Sequence, residues 1–287
     1  MEKWEFNRHV TDDLIRSLKE QPLWQEKLKG DCEAGNVFLA IRKDRVGFYH
    51  KGSSLFEFGS QSFSTNAKYA SVIDTDKTYV TQEQLKEMRM ISDFFAGYKR
   101  IKENCALYSG AEAKGVSYLY QESHYLKQAS ISVLDIEIVL RDGSNAKDRI
   151  DVLLYDSDSQ TLRFVEAKHF TNSDLWSTST PRAVEQIKNY EEQISLHAEK
   201  LKEEYGCYID NLNKIFELNK PMDLPRNVDP KVSLLIFGFD SDQKQGDRFN
   251  KLVLNNPEYG GIPIYSKGGS DGLRAETIWK EVTEITP

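Results

Sequence analysis

Asp151, and a Glu166-Ala167-Lys168 triplet that follows it after 14 residues, are the side chains of this 287-residue chain best suited to chemistry. Two carboxylates brought to one spot repel unless a cation lies between them, and hard oxygen ligands in small number suit Mg²⁺ or Mn²⁺. A lysine beside them can position or activate water, or neutralise charge developing on a phosphate. The chemistry in prospect is metal-assisted hydrolysis of a phosphodiester.

The elements that must position these groups are readable. Ile150 to Tyr155 alternates Ile150, Val152 and Leu154 with Asp151, Leu153 and Tyr155, and Thr161 to Lys168 is a second β-branched and aromatic run. Asp156 to Gln160 between them is turn chemistry, so the pair reads as a hairpin. A strand has a side-chain period of two, which places Glu166 and Lys168 on one face and Val165, Ala167 and His169 on the other. A turn of natural length puts Asp151 opposite the first pair. The flanks are apolar enough to be central strands, where unpaired charge is costly.

Asp151, the intervening residues and Glu166-Ala167-Lys168 resemble the core motif of the PD-(D/E)XK, or restriction-endonuclease-like, nucleases, with Ile150 where the family's name has proline. In the order that resemblance requires, Leu134 to Leu140 reads as the preceding strand and Tyr118 to Leu126 as the helix before it. Glu122 on that helix is the glutamate expected to reach the metal, with Glu112 and Glu137 as lesser substitutes. Downstream, Thr180-Pro181 opens a helix expected to run to Gly206, with Val184, Ile187, Ile194, Ala198 and Leu201 on its apolar face. Its Gln186 and Tyr190 resemble the Q-x-x-x-Y motif of the RecB-like branch, and side chains four apart share one side of a helix.

The resemblance implies an α/β restriction-endonuclease-like core, a mixed central sheet flanked by helices, and a divalent-metal-dependent nuclease hydrolysing DNA. Asp151, Glu166, the Ala167 carbonyl and Glu122 would hold Mg²⁺ or Mn²⁺, Lys168 would orient water, and Gln186 and Tyr190 would position the substrate. Restriction, phage defence and repair all use such a core. The rival readings are a catalytically inactive DNA-binding or assembly subunit with the same fold, and a nuclease acting on RNA.

The expected organisation is an N-terminal α+β extension over residues 1–110 and the nuclease-like domain over 111–287, with the boundary near Tyr108 to Gly110. In the extension, Trp4 to Lys29 has helical spacing, Val37 to Phe58 reads as three short strands, and a capping box at Thr81 opens a helix to about Asn104. The aromatic residues there, including Tyr49, Phe56, Phe58 and Phe63, suit a core better than a base-stacking platform. After the long helix, Lys231 to Asp240 reads as a buried strand, Asp240 to Asp242 as a turn capping a helix over Gln243 to Leu254, and Ile262 to Tyr265 as an edge strand.

Composition bounds the alternatives. Three widely spaced cysteines and five scattered histidines argue against a disulfide framework, a zinc site or a histidine-based hydrolase. No phosphate-cradling glycine loop is present. No apolar run approaches the ~18 residues of a membrane span, so a cytoplasmic protein is expected. The net charge is −7, distributed as +1 over residues 1–110 and −8 over the remainder, so DNA contact is expected on a local basic surface. Lys99 to Lys102, Arg42 to Arg45, and Arg182 with Lys188 are the candidates. A homo-oligomer or a partner protein is compatible with this reading.

Overall fold

The computed structural model describes residues 6–72, 82–87, 89–140, 149–280 and 283–284. The chain divides into two compact units, Val10–Gly110 on one hand and Met1–His9 with Ala111–Pro287 on the other, and mixes helices with sheets. Among the described residues no helix is long and apolar enough to cross a membrane.

In the Val10–Gly110 unit, α1 (Asp12–Lys19) starts where the Thr11 side chain accepts the Leu14 N–H, with Asp12 and Asp13 in its first turn and Lys19 in its last. The single helix expected to Lys29 is instead broken into Asp12–Lys19, Trp24–Leu28 and Lys29–Glu33. Pro22 accounts for the first break: it has no N–H to continue α1 but suits the first turn of the next helix. Trp4 lies outside the described residues. Four antiparallel strands follow in a meander: β1 (Phe38–Arg42), β2 (Arg45–His50), β3 (Ser53–Gly59) and β4 (Ser62–Ser64). The last two turns carry positive φ at both central residues, Lys51 and Gly52, then Ser60 and Gln61. That geometry matches the twist of the flanking strands. Trp24, Phe48, Phe56 and Phe58 are fully buried, so most of this aromatic content is core.

The helix expected to Asn104 is also divided. Gln82–Glu87 is followed by a short pairing of Ser71–Val72 with Arg89–Met90, and only then by α2 (Tyr98–Leu107). Asp93 opens the turn that leads into α2, its carboxylate taking the N–H groups of Phe95 and Ala96. Thr81 lies outside the described residues. Lys102, expected on a basic surface, is tied to Asp31 at 2.5 Å.

The other unit is built as α3 (Ala111–Ser123), β5 (Ile131–Ile138), β6 (Ile150–Asp156), β7 (Thr161–His169), α4 (Arg182–Phe216), β8 (Asn227–Phe237), β9 (Pro263–Lys267), α5 (Ala275–Lys280) and β10 (Thr283–Glu284). Its six strands lie in the order β10-β9-β8-β7-β6-β5. β5, β6 and β7 form an antiparallel meander, whereas β8 and β9 run parallel to β7, and β10 is antiparallel again. The parallel step from β7 to β8 requires a crossover, and α4 supplies it. Ile262 to Tyr265 was expected at an edge; β9 is instead an inner strand, since Ile264 pairs with Thr283 of β10. A two-residue strand is too short to leave a periodic signal.

α4 passes through Gly206, where its end was expected, and stops at Glu217 in the left-handed conformation. A glycine inside a helix costs about 1 kcal/mol, and the buried row of Tyr205, Tyr208, Ile209 and Leu212 around it offsets that. The helix departs from helical geometry at His197. Beyond β8, Asp240 forms a reciprocal capping box with Gln243, while Gly246 splits the expected helix into Ser241–Gln245 and the pieces that follow.

Residues 6–9 belong to this unit through a buried polar knot. The Asp135 carboxylate of β5 receives Arg8 Nε at 3.1 Å, the Tyr205 hydroxyl at 3.1 Å and the Ile136 N–H at 2.8 Å. The Arg8 N–H donates to Glu204 at 2.9 Å, and the Arg8 guanidinium stacks on Phe6.

On the opposite face of the sheet, α3 approaches β8 so closely that a Cβ on Gly115 would lie 2.1 Å from the Phe237 ring. We therefore expect Gly115→Ala to lower the melting temperature although alanine is the better helix former. Overpacking costs roughly 1–3 kcal/mol, against about 1 kcal/mol gained in propensity. A higher melting temperature would mean that the Phe237 ring yields at no cost.

Candidate functional site

The candidate site is built on the central meander. Val152 is paired with Val165, and one step beyond that pair sets Asp151 against Glu166. The Ala167 N–H donates to Asp151 Oδ2 at 2.7 Å, which fixes the Asp151 carboxylate beside the next strand. Lys168 Nζ lies 2.7 Å from Glu166 Oε1, with Glu166 1% and Lys168 6% exposed. The other Glu166 oxygen, Oε2, is buried and accepts no hydrogen bond. On the far side of β6, the pairs Ile136 with Val152 and Ile138 with Ile150 place Glu137 opposite Asp151. Glu137 bonds Arg149 at 2.8 Å and has a φ of +53°.

The face that carries these groups is the one α4 covers. Phe164 packs its ring on Tyr205 of α4, and Tyr205 bonds Asp135, which pairs with Leu153. Asp151, Glu166 and Lys168 share the strand parity of Leu153 and Phe164, so they share that face. Gln186 and Tyr190 stand on α4, half-buried and buried respectively, and Gln186 Oε1 is buried without a hydrogen-bond partner. Next to them, Glu191 accepts the Val232 N–H at 3.1 Å and ties this part of the helix to β8 where Val232 pairs with Phe164. His169, as expected, turns its ring to the other face, against Phe237.

The glutamate that α3 brings to the pair is Glu112, and Glu122 is not brought there. Glu112 accepts the His169 N–H at 3.2 Å and Asn172 Nδ2 at 2.6 Å, and its charge acts on both Glu166 and Lys168. Glu122 is exposed ten residues further along the helix, about 15 Å away along its axis. The helix was expected from Tyr118, whereas it begins at Ala111, and its first turn is the end that meets the site. Glu112 was recognisable only as an acid near a helix start, a weak signal.

Electrostatics separate the groups. Burial raises the Glu166 pKa from its ordinary 4.5 to about 7, with Lys168 opposing the rise and Glu112 and Glu137 adding to it. Burial, then the charge of Glu166, holds Asp151 well above the usual range against the pull of Lys168 and the Ala167 N–H. Burial opposes the Lys168 ammonium, but Glu166 and Asp151 outweigh it and raise its pKa. Lys168 therefore stays charged at neutral pH.

These residues fit a hard divalent cation. Asp151 and Glu166 offer carboxylate oxygens, the Ala167 carbonyl is adjacent in sequence, and the orphaned Glu166 Oε2 is a buried acceptor that a cation, a proton or a water would satisfy. Among the described residues, no group of three or more His, Cys, Asp or Glu is assembled as a metal site. The oxygen donors the protein would offer such a cation are thus two carboxylates and a carbonyl.

A pH dependence follows. The folded pKa of Glu166 is raised, so its contribution to stability is full below about 4.5 and is lost as pH rises through about 7. A cation competes with that proton. The rise in melting temperature on adding Mn²⁺ should be small at pH 5 and grow to a plateau above pH 7. A rise equal at both pH values would remove Glu166 from the cation site.

Comparisons of the chain with protein-family models, with curated proteins and with solved structures find no match.

Proposed function

We propose that the protein is a divalent-metal-dependent nuclease with a restriction-endonuclease-like core, hydrolysing DNA phosphodiester bonds at Asp151, Glu166 and Lys168. The observation that carries the reading is the buried Glu166 carboxylate, one oxygen on Lys168 and the other orphaned, beside an Asp151 that a backbone N–H holds in place. Burying Glu166 and Lys168 beside a half-buried Asp151 costs several kcal/mol per buried ion and builds no apolar core, so function is the economical explanation. The antiparallel meander followed by a helical crossover to parallel strands supports it, because the sequence resemblance implies that order of elements.

Asp151 and Glu166 hold the cation, together with the Ala167 carbonyl. A divalent cation supplies Lewis acidity toward a phosphoryl oxygen when bound. Lys168 is rigid and charged, and serves to orient the attacking water or to neutralise charge growing on the phosphate. Gln186 and Tyr190, on the helix that covers this face, position the substrate. Glu112 fixes the end of β7 through the His169 N–H and Asn172.

The test is incubation with labelled duplex DNA, single-stranded DNA and RNA in the presence of Mg²⁺, Mn²⁺ or a chelator. Cation-dependent cleavage of DNA is expected. Cleavage of RNA alone would move the substrate class, and Mn²⁺ binding without cleavage of any substrate would make the protein a binding subunit.

A further inference from the structure

Residues 111–287 carry a net charge of −8, so a nucleic-acid backbone needs a local cation to hold it against this unit. Several cations of the unit are already matched by acids. Lys188 Nζ lies 3.7 Å from Glu258, Lys231 Nζ 3.3 Å from Glu191, and Lys251 Nζ 2.8 Å from Asp247. Arg248 differs. It is exposed, and among the described residues no carboxylate pairs with it; its guanidinium lies instead over the Trp176 ring, 4.3 Å from the centroid.

That stack stands beside the candidate site. The Phe170 N–H continues the ladder of β7 onto the Phe237 carbonyl at 2.7 Å. Phe170 therefore follows Glu166 and Lys168 at period two, on their face of the sheet and about 7 Å beyond Lys168. Trp176 folds back onto it: the two ring centroids are 4.8 Å apart, and the indole N–H donates to the Phe170 carbonyl at 3.0 Å. Phe249, the neighbour of Arg248 in the short helix Asp247–Phe249, is buried and also packs on Phe170. Both the ring under the guanidinium and the backbone behind it are thus fixed to the strand end that carries Lys168. Stacking occupies the faces of a guanidinium and leaves its in-plane N–H fork to solvent, where it matches a phosphate through two parallel hydrogen bonds. A cation held in place before binding also loses less freedom when it binds.

We propose that Arg248, held on Trp176, binds a nucleic-acid backbone phosphate that flanks the one cleaved. The inference rests on the nuclease reading of Asp151, Glu166 and Lys168. Arg248 sets how tightly and in what register the strand lies across the end of β7, and takes no part in the chemical step. A phosphate contact of this kind carries no sequence information.

Fluorescence anisotropy with a labelled DNA duplex, in chelator and over a series of salt concentrations, tests it on the full chain. The proteins compared are wild type, Arg248→Met, Arg248→Lys and Lys251→Met. Methionine still covers the Trp176 ring, so Arg248→Met should melt as wild type does. It should bind DNA about 10-fold more weakly, with the slope of log affinity against log salt shallower by about 0.9, the loss of one phosphate contact. Arg248→Lys should keep the wild-type slope and recover only part of the affinity, because an ammonium lacks the fork. Lys251→Met removes an equal charge three residues away, but one already met by Asp247, and should bind within about twofold of wild type. With Mg²⁺ present, Arg248→Met should raise KM about 10-fold and leave kcat unchanged. Wild-type affinity and slope in Arg248→Met would overturn the proposal, as would an equal loss in Lys251→Met or wild-type affinity in Arg248→Lys. If any of these occurs while wild type cuts DNA with Mg²⁺, the nuclease reading stands and only this inference falls. If wild type neither binds nor cuts nucleic acid, both fall together.

Discussion

Asp151→Asn will keep the fold and lose cation-dependent cleavage by about a thousandfold, while Lys168→Met will lose about a hundredfold or more and still bind Mn²⁺ at least as tightly as wild type. The two variants part because the two residues act on different charges. Asparagine is the size of aspartate and its carbonyl can still accept the Ala167 N–H now held at 2.7 Å, so β6 and β7 stay in register. What disappears is half of the carboxylate pair proposed to attract the cation. Methionine likewise fills the buried space of Lys168. It removes the positive charge that competes for Glu166 Oε1 at 2.7 Å, so the cation meets less repulsion while the attacking water loses its orienting group. Cleavage assays paired with Mn²⁺ titrations distinguish these outcomes, and equal cleavage by wild type and both variants would discard the site.

Removing Arg8 will destabilise the protein by roughly 3–5 kcal/mol, the usual consequence of stripping the partner from a buried charge. Asp135 is 0% exposed and receives Arg8 Nε, the Tyr205 hydroxyl and a backbone N–H. Arg8→Ala strips the Arg8 guanidinium from that carboxylate. In a domain of this size the melting temperature should fall by roughly 6–20 °C. The double substitution Arg8→Met with Asp135→Leu should recover most of the loss, since a buried ion pair replaced whole by apolar groups is often neutral. A melting temperature unchanged in Arg8→Ala would show that the knot is decorative.

The hairpin of Asp151 to Lys168 was legible because every signal in it is local: alternation with period two, a turn of five polar residues, and apolar flanks. The strands β5 and β8 were legible for the same reason. The start of α3 was not. Gly115 reads as a weakness in a helix, and its cause, the Phe237 ring, lies on a strand more than a hundred residues away in sequence. With the helix read from Tyr118 onward, Glu122 was the acid it offered, and Glu112 lay before its expected start. Gly206 misled in the opposite way: it resembled a helix end, but the tyrosines around it bury enough surface to carry α4 onward. Arg8 and Asp135, 127 residues apart, left no trace of their pairing, because long-range ion pairs follow no sequence period.

The division of the chain has a consequence in time. Residues up to His9 and from Ala111 onward form one unit, and everything between forms the other. During synthesis at roughly 5–20 residues per second, Arg8 emerges about 6–25 s before Asp135 exists to receive it. The Val10–Gly110 segment is a compact unit and can begin to fold in that interval, as hairpins close in microseconds. Arg8 thus finds its place only after the whole intervening unit has been made, and the strand that carries Asp135 meets an anchor already synthesised.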